Sequence, residues 1–346
     1  MSEHAWESNA GVADVVARLR AARRVALFTH LKPDGDAVGS TLALARALVR
    51  VGKFATPVYL EPWSARFDAI VGVTDVIHER AGWEEDARVR DADLVVVCDT
   101  GSWGQIAGAR AFVEARRDRV VIIDHHAHGD GEMAAVRLID TGAAAACEIA
   151  AKVCCGLLGV EAVRMPVDVG EALYLGISTD TGWFRYSNTT RATMMLAADL
   201  IAAGVRANEL YQAVEQSDTE GRVRLIGRAV EGMEILDDGA LALMTVRQRD
   251  LRECGASLDE AGGLTDLPQM IGSVRVVAVL IEQEDGTTKI SLRSKAEAPG
   301  MTDVVDVNKA AQTLGGGGHK HAAGARLDVG VDAARGRVLA AIEGEM

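Results

Sequence analysis

The chain has 346 residues, enough for two domains, and its 49% hydrophobic content supports a sizeable core and argues against disorder. The formal charge of −13 excludes the basic face that long duplex nucleic acid requires, while leaving room for a small phosphorylated ligand in one local basic pocket. Five cysteines, an odd number with no C-x-x-C pair, read as reduced, buried thiols in a cytoplasmic protein.

In chain order, Met1 to Gly11 is polar and shows no signal-like apolar core. No apolar run is long enough to cross a bilayer, so no membrane contact is expected. Residues 12–23 have helical spacing. Val25 to Phe28 reads as a buried strand, and Ala37 to Val51 as a helix ended by Gly52. Between them lies His30-Leu31-Lys32-Pro33-Asp34-Gly35-Asp36. In an open α/β sheet this turn falls at the carboxyl edge, where such folds bind ligands. Neighbouring carboxylates repel unless a cation is present, so the stretch reads as half of a metal site. The alternative is a polar loop in which Asp36 caps the helix.

Thr56 to Leu60 is a second strand. Residues 61–90 are mixed, and their acidic run is taken as solvated surface. Leu94 to Val97 leads into Asp99, and Val120 to Ile123 leads into Asp124-His125-His126. Three apolar strands thus end in acidic or imidazole groups. Continuous apolar strands separated by helical stretches predict a parallel sheet covered on both faces. Helices are expected over 143–158 and 168–179, the second closing on Asp180. A carboxylate at a helix C-terminus opposes the helix dipole, which a cation would offset. Residues 189–236 read as helical with no strand.

The remainder changes character. Ala240 to Val246 is a strand, and Gly262 to Ile271 a helix. Val274 to Glu282 and Thr287 to Arg293 form a hairpin across Glu284-Asp285-Gly286. A helix near 303–312, the run Gly315 to Gly318 with His319, a strand from Ala325 to Val329 and a helix from Val331 complete the chain. The glycines would let backbone N–H groups approach a phosphate or ribose; a flexible linker is the other reading. Arg293 in Ser291-Leu292-Arg293-Ser294 is a candidate phosphate fork or a solvated surface arginine. Arg185, five residues after Asp180, is a candidate substrate contact.

These motifs resemble the DHH phosphoesterase superfamily. His30-x-x-x-Asp34-x-Asp36, Asp99, Asp124-His125-His126 and Asp180 occur in its order and spacing. Gly315 to Gly318, His319 and Ala322-Ala323-Gly324 resemble its DHHA1 domain. The group most similar is the bifunctional oligoribonucleases and 3′-phosphoadenosine-5′-phosphate phosphatases, or nanoRNases. The resemblance implies a parallel-sheet α/β DHH domain over 1–200, a helical linker over 201–236 and a smaller mixed-sheet α/β DHHA1 domain over 237–346. It also implies two divalent metal ions. One would be held by His30, Asp34 and Asp99, the other by Asp36, Asp99, His125 and Asp180, with Asp99 bridging. Mixed imidazole and carboxylate donors favour Mn²⁺, with Mg²⁺ or Co²⁺ as alternatives.

On that basis the expected activity is hydrolysis of short oligoribonucleotides, releasing 5′-mononucleotides, and of 3′-phosphoadenosine 5′-phosphate, by two-metal activation of a bridging water. His126 would polarise the phosphate or assist the leaving oxygen, unless it is only a packing histidine. Asp124 would orient an imidazole. Arg293, Ser294, Gly316, Gly317, Gly318, His319 and Arg185 would bind the rest of the substrate. Two domains facing a cleft would admit only short nucleotides. One alternative is a cyclic di-AMP or linear dinucleotide phosphodiesterase; a non-enzymatic alternative is a nucleotide sensor. A nicotinamide-binding fold is disfavoured, since no G-x-G-x-x-G follows the first strand. The helices after Asp180 would serve a homodimer. Ala143-Ala144-Ala145-Ala146-Cys147 departs from the family's Ser or Thr pattern, so the helix it begins is left out of the expected site.

Overall fold

Side chains alternate along a strand, and in β1 (Arg24–Phe28) both faces are apolar. Val25 and Leu27 join one buried cluster, Ala26 and Phe28 another. The strand is therefore sealed on both sides, as parallel sheets require. The computed structural model describes residues 5–295 and 304–346, which divide at Ser217/Asp218 into two compact units.

The first unit adds β2 (Phe54–Tyr59), β3 (Ile77–His78), β4 (Leu94–Cys98), β5 (Val120–Asp124) and β6 (Val136–Ile139). The order is β3-β2-β1-β4-β5-β6 and every pairing is parallel. The chain winds outward from β1 in one direction and then returns beside it at β4, so β1 and β4 flank a topological switch point. One face carries α1 (Val12–Ala21), α2 (Gly35–Arg50), α6 (Ala146–Leu158) and α7 (Val167–Asp180). The other face packs around Trp83, Trp103, Ile106 and Phe112. Short helices α3 (Asp68–Val71), α4 (Ala87–Arg90) and α5 (Arg110–Glu114) lie in the connections. Helices α8 (Arg191–Ala202) and α9 (Ala207–Glu215) end the unit.

The second unit holds α10 (Glu220–Glu231), β7 (Glu234–Leu236), β8 (Leu241–Val246), α11 (Gln248–Cys254), β9 (Val276–Glu282), β10 (Thr288–Ser294), α12 (Val307–Thr313), β11 (Gly317–His319), β12 (Ala322–Leu327) and α13 (Val331–Glu343). Its sheet order is β11-β12-β10-β9-β8-β7, with β8–β9 parallel and the other pairs antiparallel. The hairpin turns where expected, with Gly286 at φ 80°. Helices α12 and α13 pack on one face, α10 and α11 on the other.

Several expectations change. The segment 262–271 is not a helix but a string of short 3₁₀ turns, among them Leu264–Asp266 and Pro268–Met270. Gly263 at φ 75° and Pro268 interrupt any continuous ladder. Within 189–236, the strand β7 appears as an exposed edge, without the burial that would mark it in sequence. The expected linker 201–236 spans the division between the units, with α9 on one side and α10 on the other. Strand β6 is not signalled by an apolar run, because Arg137 interrupts it; the buried guanidinium donates to the Gly131 and Ala134 carbonyls. Strand β12 begins at Ala322, earlier than expected, because it pairs with both β10 and β11. The helix expected near 303–312 is α12; residue 303, and residues 1–4 of the polar N-terminal stretch, lie outside the described residues. All five cysteines are free, with Cys155 and Cys254 half-buried. No helix among the described residues is long and apolar enough to cross a membrane.

Candidate metal centre

Asp34 caps α2. Its Oδ1 accepts from the Asp36 and Ala37 amides at 3.0 and 3.1 Å, so the cap is Asp34 rather than Asp36. Asp36 is thereby freed for another role. It is 1% exposed, and its carboxylate accepts from the Ala146 and Cys147 amides at 2.5 and 2.9 Å. These amides open α6, where the helix dipole favours negative charge. The helix left out of the expected site therefore helps to build it through backbone, which side-chain identity could not reveal.

Asp99 follows β4 directly with φ 60°, in the left-handed region that aspartate tolerates better than most residues. It is buried, and its two oxygens face different imidazoles. Oδ2 lies 3.5 Å from His30 Nε2, and Oδ1 lies 3.3 Å from His125 Nε2. His30 Nε2 is also 3.7 Å from Asp34 Oδ1. His125 Nε2 is 3.9 Å from Asp36 Oδ2 and 3.7 Å from Asp180 Oδ2. The donors thus gather as His30, Asp34 and Asp99, and as Asp36, His125 and Asp180, each set within 4.8 Å.

Both imidazoles are turned the same way. His30 Nδ1 is 2.8 Å from the Leu31 carbonyl, and His125 Nδ1 is 3.3 Å from the Ala143 carbonyl. A carbonyl can only accept, so Nδ1 carries the proton and Nε2 faces the carboxylates, as in a metal-ligating histidine. Asp124 is fully buried and its Oδ1 is 2.7 Å from His126 Nδ1. It orients His126 and not His125, and leaves the His126 Nε2 edge toward solvent, since that ring is 46% exposed.

The electrostatics are those of a site short of positive charge. Burial pulls the His30 imidazole down, but the Asp34 and Asp99 carboxylates outweigh it and raise its pKa to about 11. Burial and Asp99 compete likewise at His125, which rises to about 10. Burial and the neighbouring Asp99 and Asp180 charges push the Asp36 carboxyl well up. Burial raises Asp180 to about 6. Asp99 falls to about 2, because the attraction of the two facing imidazoles overcomes its burial. Asp99 Oδ1, Asp124 Oδ2 and Thr29 Oγ1 are buried without a hydrogen-bond partner. His125 Nε2 approaches Asp99 Oδ1 but makes no well-aligned bond to it. Two imidazole nitrogens turned toward carboxylates, with an orphaned Asp99 oxygen between the two sets, fit divalent cations.

Asp180 is the last residue of α7 and its side chain is 29% exposed. Arg185 lies on the exposed loop beyond. One contributor carried no motif signal: Trp6. Its indole N–H donates to the His126 carbonyl at 2.9 Å. The ring packs on Gly101 and Gly129, where an added Cβ would lie 1.7 and 2.7 Å from it.

The remaining expected residues belong to the second unit. Arg293 on β10 and His319 on β11 both pair with Ala322 on β12, forming one row across three strands. Ser294 turns inward. It is 4% exposed, and its hydroxyl lies 3.1 Å from His321 Nδ1. Gly316 and Gly318 sit against β12, where a Cβ would approach the Gly324 and Ala322 carbonyls to 2.1 and 2.4 Å. Close strand contact accounts for these two glycines, and the segment is not a free linker.

Comparison with known proteins agrees with this geometry. The model of the DHH family N-terminal domain matches residues 24–177, and that of the DHHA1 domain matches residues 249–345. The bifunctional oligoribonuclease and PAP phosphatase NrnA of Thermus thermophilus is 29% identical, over 99% of this chain and 95% of its own. The Bacillus subtilis protein of the same name is 26% identical, over 88% of this chain and 89% of its own. The crystal structure of an exopolyphosphatase-related protein from Bacteroides fragilis superposes with a TM-score of 0.88 at 23% identity, covering 96% of this chain and 95% of that one, and shares the fold. With both domain models matched in sequence order and the donor sets assembled at the switch point, the chain belongs to the DHH family of divalent-metal-dependent phosphoesterases, with a DHHA1 domain following the DHH domain.

Proposed function

We propose that the chain hydrolyses short oligoribonucleotides, releasing 5′-mononucleotides, and removes a phosphate from 3′-phosphoadenosine 5′-phosphate (pAp). The two donor sets that meet at Asp99 carry this reading. Similarity along nearly the whole chain to proteins named for both activities supports it. His30, Asp34 and Asp99 would hold one cation, and Asp36, Asp99, His125 and Asp180 the other. Imidazole donors among carboxylates favour Mn²⁺ over Mg²⁺, which prefers oxygen and water. When bound, the pair supplies Lewis acidity and an activated water.

The chain's own groups do the rest. Asp124 holds His126 through Nδ1, so Nε2 can carry a proton to the leaving oxygen. Arg293, His319 and the Gly317–Gly318 backbone would be further contacts for the distal part of the substrate, its ribose in particular. Ser294 supports that row from beneath through His321. The free thiols suit a reducing cytoplasm. A substrate panel tests the assignment: pApA, pAp and cyclic di-AMP, each with Mn²⁺ and with Mg²⁺. Turnover of pApA and pAp, faster with Mn²⁺, is expected. Cleavage of pAp alone would remove the oligoribonuclease half, and preference for cyclic di-AMP would replace the assignment.

A further inference from the structure

The loop after Asp180 contains an arrangement that the metal centre does not use. Gly182, Trp183 and Phe184 have φ values of 56°, 56° and 65°, a left-handed turn through three successive residues. Two of them carry large side chains, for which this conformation is costly. Neighbouring backbone holds the turn in place. The Trp183 amide donates to the Ser178 carbonyl at 2.5 Å, and the Arg185 and Tyr186 amides donate to Thr181 at 2.9 and 3.0 Å. Asn188 Nδ2 donates to the Asp180 and Ala144 carbonyls, each at 3.2 Å.

The first two side chains pack against the unit. The Trp183 indole donates to Glu215, and Phe184 meets the edge of Tyr174. The next two face outward. Tyr186 is 53% exposed, and its ring covers Gly182, where an added Cβ would lie 2.4 Å away. One side of the ring is thus braced two residues from Asp180. The Arg185 Nε donates to the Gly182 carbonyl at 2.6 Å, which fixes the guanidinium without using its terminal N–H groups. No carboxylate among the described residues pairs with it. A braced aromatic face beside an oriented, unpaired guanidinium matches the two recognisable parts of a nucleotide, a base and an anionic phosphate.

We propose that Tyr186 and Arg185 form a nucleotide subsite beside Asp180, the phenol ring stacking on a nucleobase and the guanidinium taking a phosphate other than the one being hydrolysed. This inference rests on the nucleotide phosphoesterase reading and specifies how that site tells a nucleotide from a plain phosphate ester. It is tested by inhibition of pApA hydrolysis with AMP and with ribose 5-phosphate, in the full chain loaded with Mn²⁺. Tyr186→Ala should weaken AMP inhibition roughly 5- to 150-fold, the range for losing one stacked base, and leave ribose 5-phosphate unchanged. Tyr186→Trp, which keeps an aromatic face, should restore AMP inhibition. Arg185→Gln should raise KM for pAp several-fold and change that for 3′-AMP little. Equal shifts for AMP and ribose 5-phosphate, no shift for either, or no AMP inhibition of the wild type would overturn the stacking subsite. Equal effects of Arg185→Gln on pAp and 3′-AMP would overturn the arginine's part. A wild type inert toward both pApA and pAp would instead refute the underlying reading, before any variant is compared.

Discussion

Asp99 is the residue on which the two donor sets depend, since each of its oxygens faces a different imidazole. Asp99→Ala should lower kcat/KM on the order of 10³-fold, the scale of losing a principal electrostatic stabiliser. Bound metal should also fall while the circular dichroism spectrum is retained; full activity would contradict the assignment. The histidines give a second prediction. With pKa values raised to about 11 and about 10, His30 and His125 both carry a second proton, on Nε2, at pH 7 in the metal-free protein. Each must lose it to ligate, so metal binding releases protons and affinity rises with pH up to those values. Titration calorimetry at pH 7 in buffers of different ionisation enthalpy should report at least about two protons released per fully loaded site, with Asp36, whose carboxyl is pushed up, adding to them. Uptake of protons, or none exchanged, would rule out these imidazoles as ligands. At this scale much was legible in the sequence, because an acid or imidazole after an apolar strand stands out. Partner choice was not. That Asp124 holds His126, and that Asp36 is held by the Ala146 and Cys147 amides, depends on distances across more than one chain segment.

Among the elements, α7 packs closely against both α2 and α6 at Asp36. An added Cβ at Gly176 would lie 2.1 Å from Cys147 Sγ and 2.6 Å from Asp36 Oδ1. Gly176→Ala should therefore cost about 1–3 kcal/mol of stability through overpacking, read by denaturant melts. It should also weaken metal binding roughly tenfold, as disturbed support of a ligand does; a neutral outcome on both counts would mean that these helices separate easily. The N-terminal segment acts at the opposite edge. It runs beside β6, where Asn9 and Arg137 exchange backbone and side-chain bonds, and it brings Trp6 onto the His126 carbonyl. Trp6→Ala should reduce kcat roughly tenfold with bound metal nearly unchanged, and Trp6→Phe should recover part of the loss. A fall in metal content equal to the fall in kcat would assign Trp6 to general stability instead. The main strands and helices could be read from period and burial. Strands β3, β6, β7 and β11 could not, being short, interrupted by a charge, exposed at an edge or made largely of glycine.

Across the whole molecule, each unit has buried clusters of its own, and the proposed metal ligands all lie in the first. Two units with separate cores unfold separately unless coupled. Mn²⁺ at about 100 times its Kd should then stabilise one calorimetric transition by about 2.7 kcal/mol and leave the other in place; a uniform shift of a single transition would show that the units unfold together. The sequence alone determined the α/β class and the apolar strands and singled out the candidate metal donors, because burial on both faces demands continuous apolar runs and cations demand particular side chains. The tertiary structure decided which candidate donors lie together, which carboxylate caps a helix and which side chains face solvent. Those outcomes arise where β4 returns beside β1 and brings Asp99 within 3.5 Å of His30, a proximity created by strand order and invisible to any local pattern.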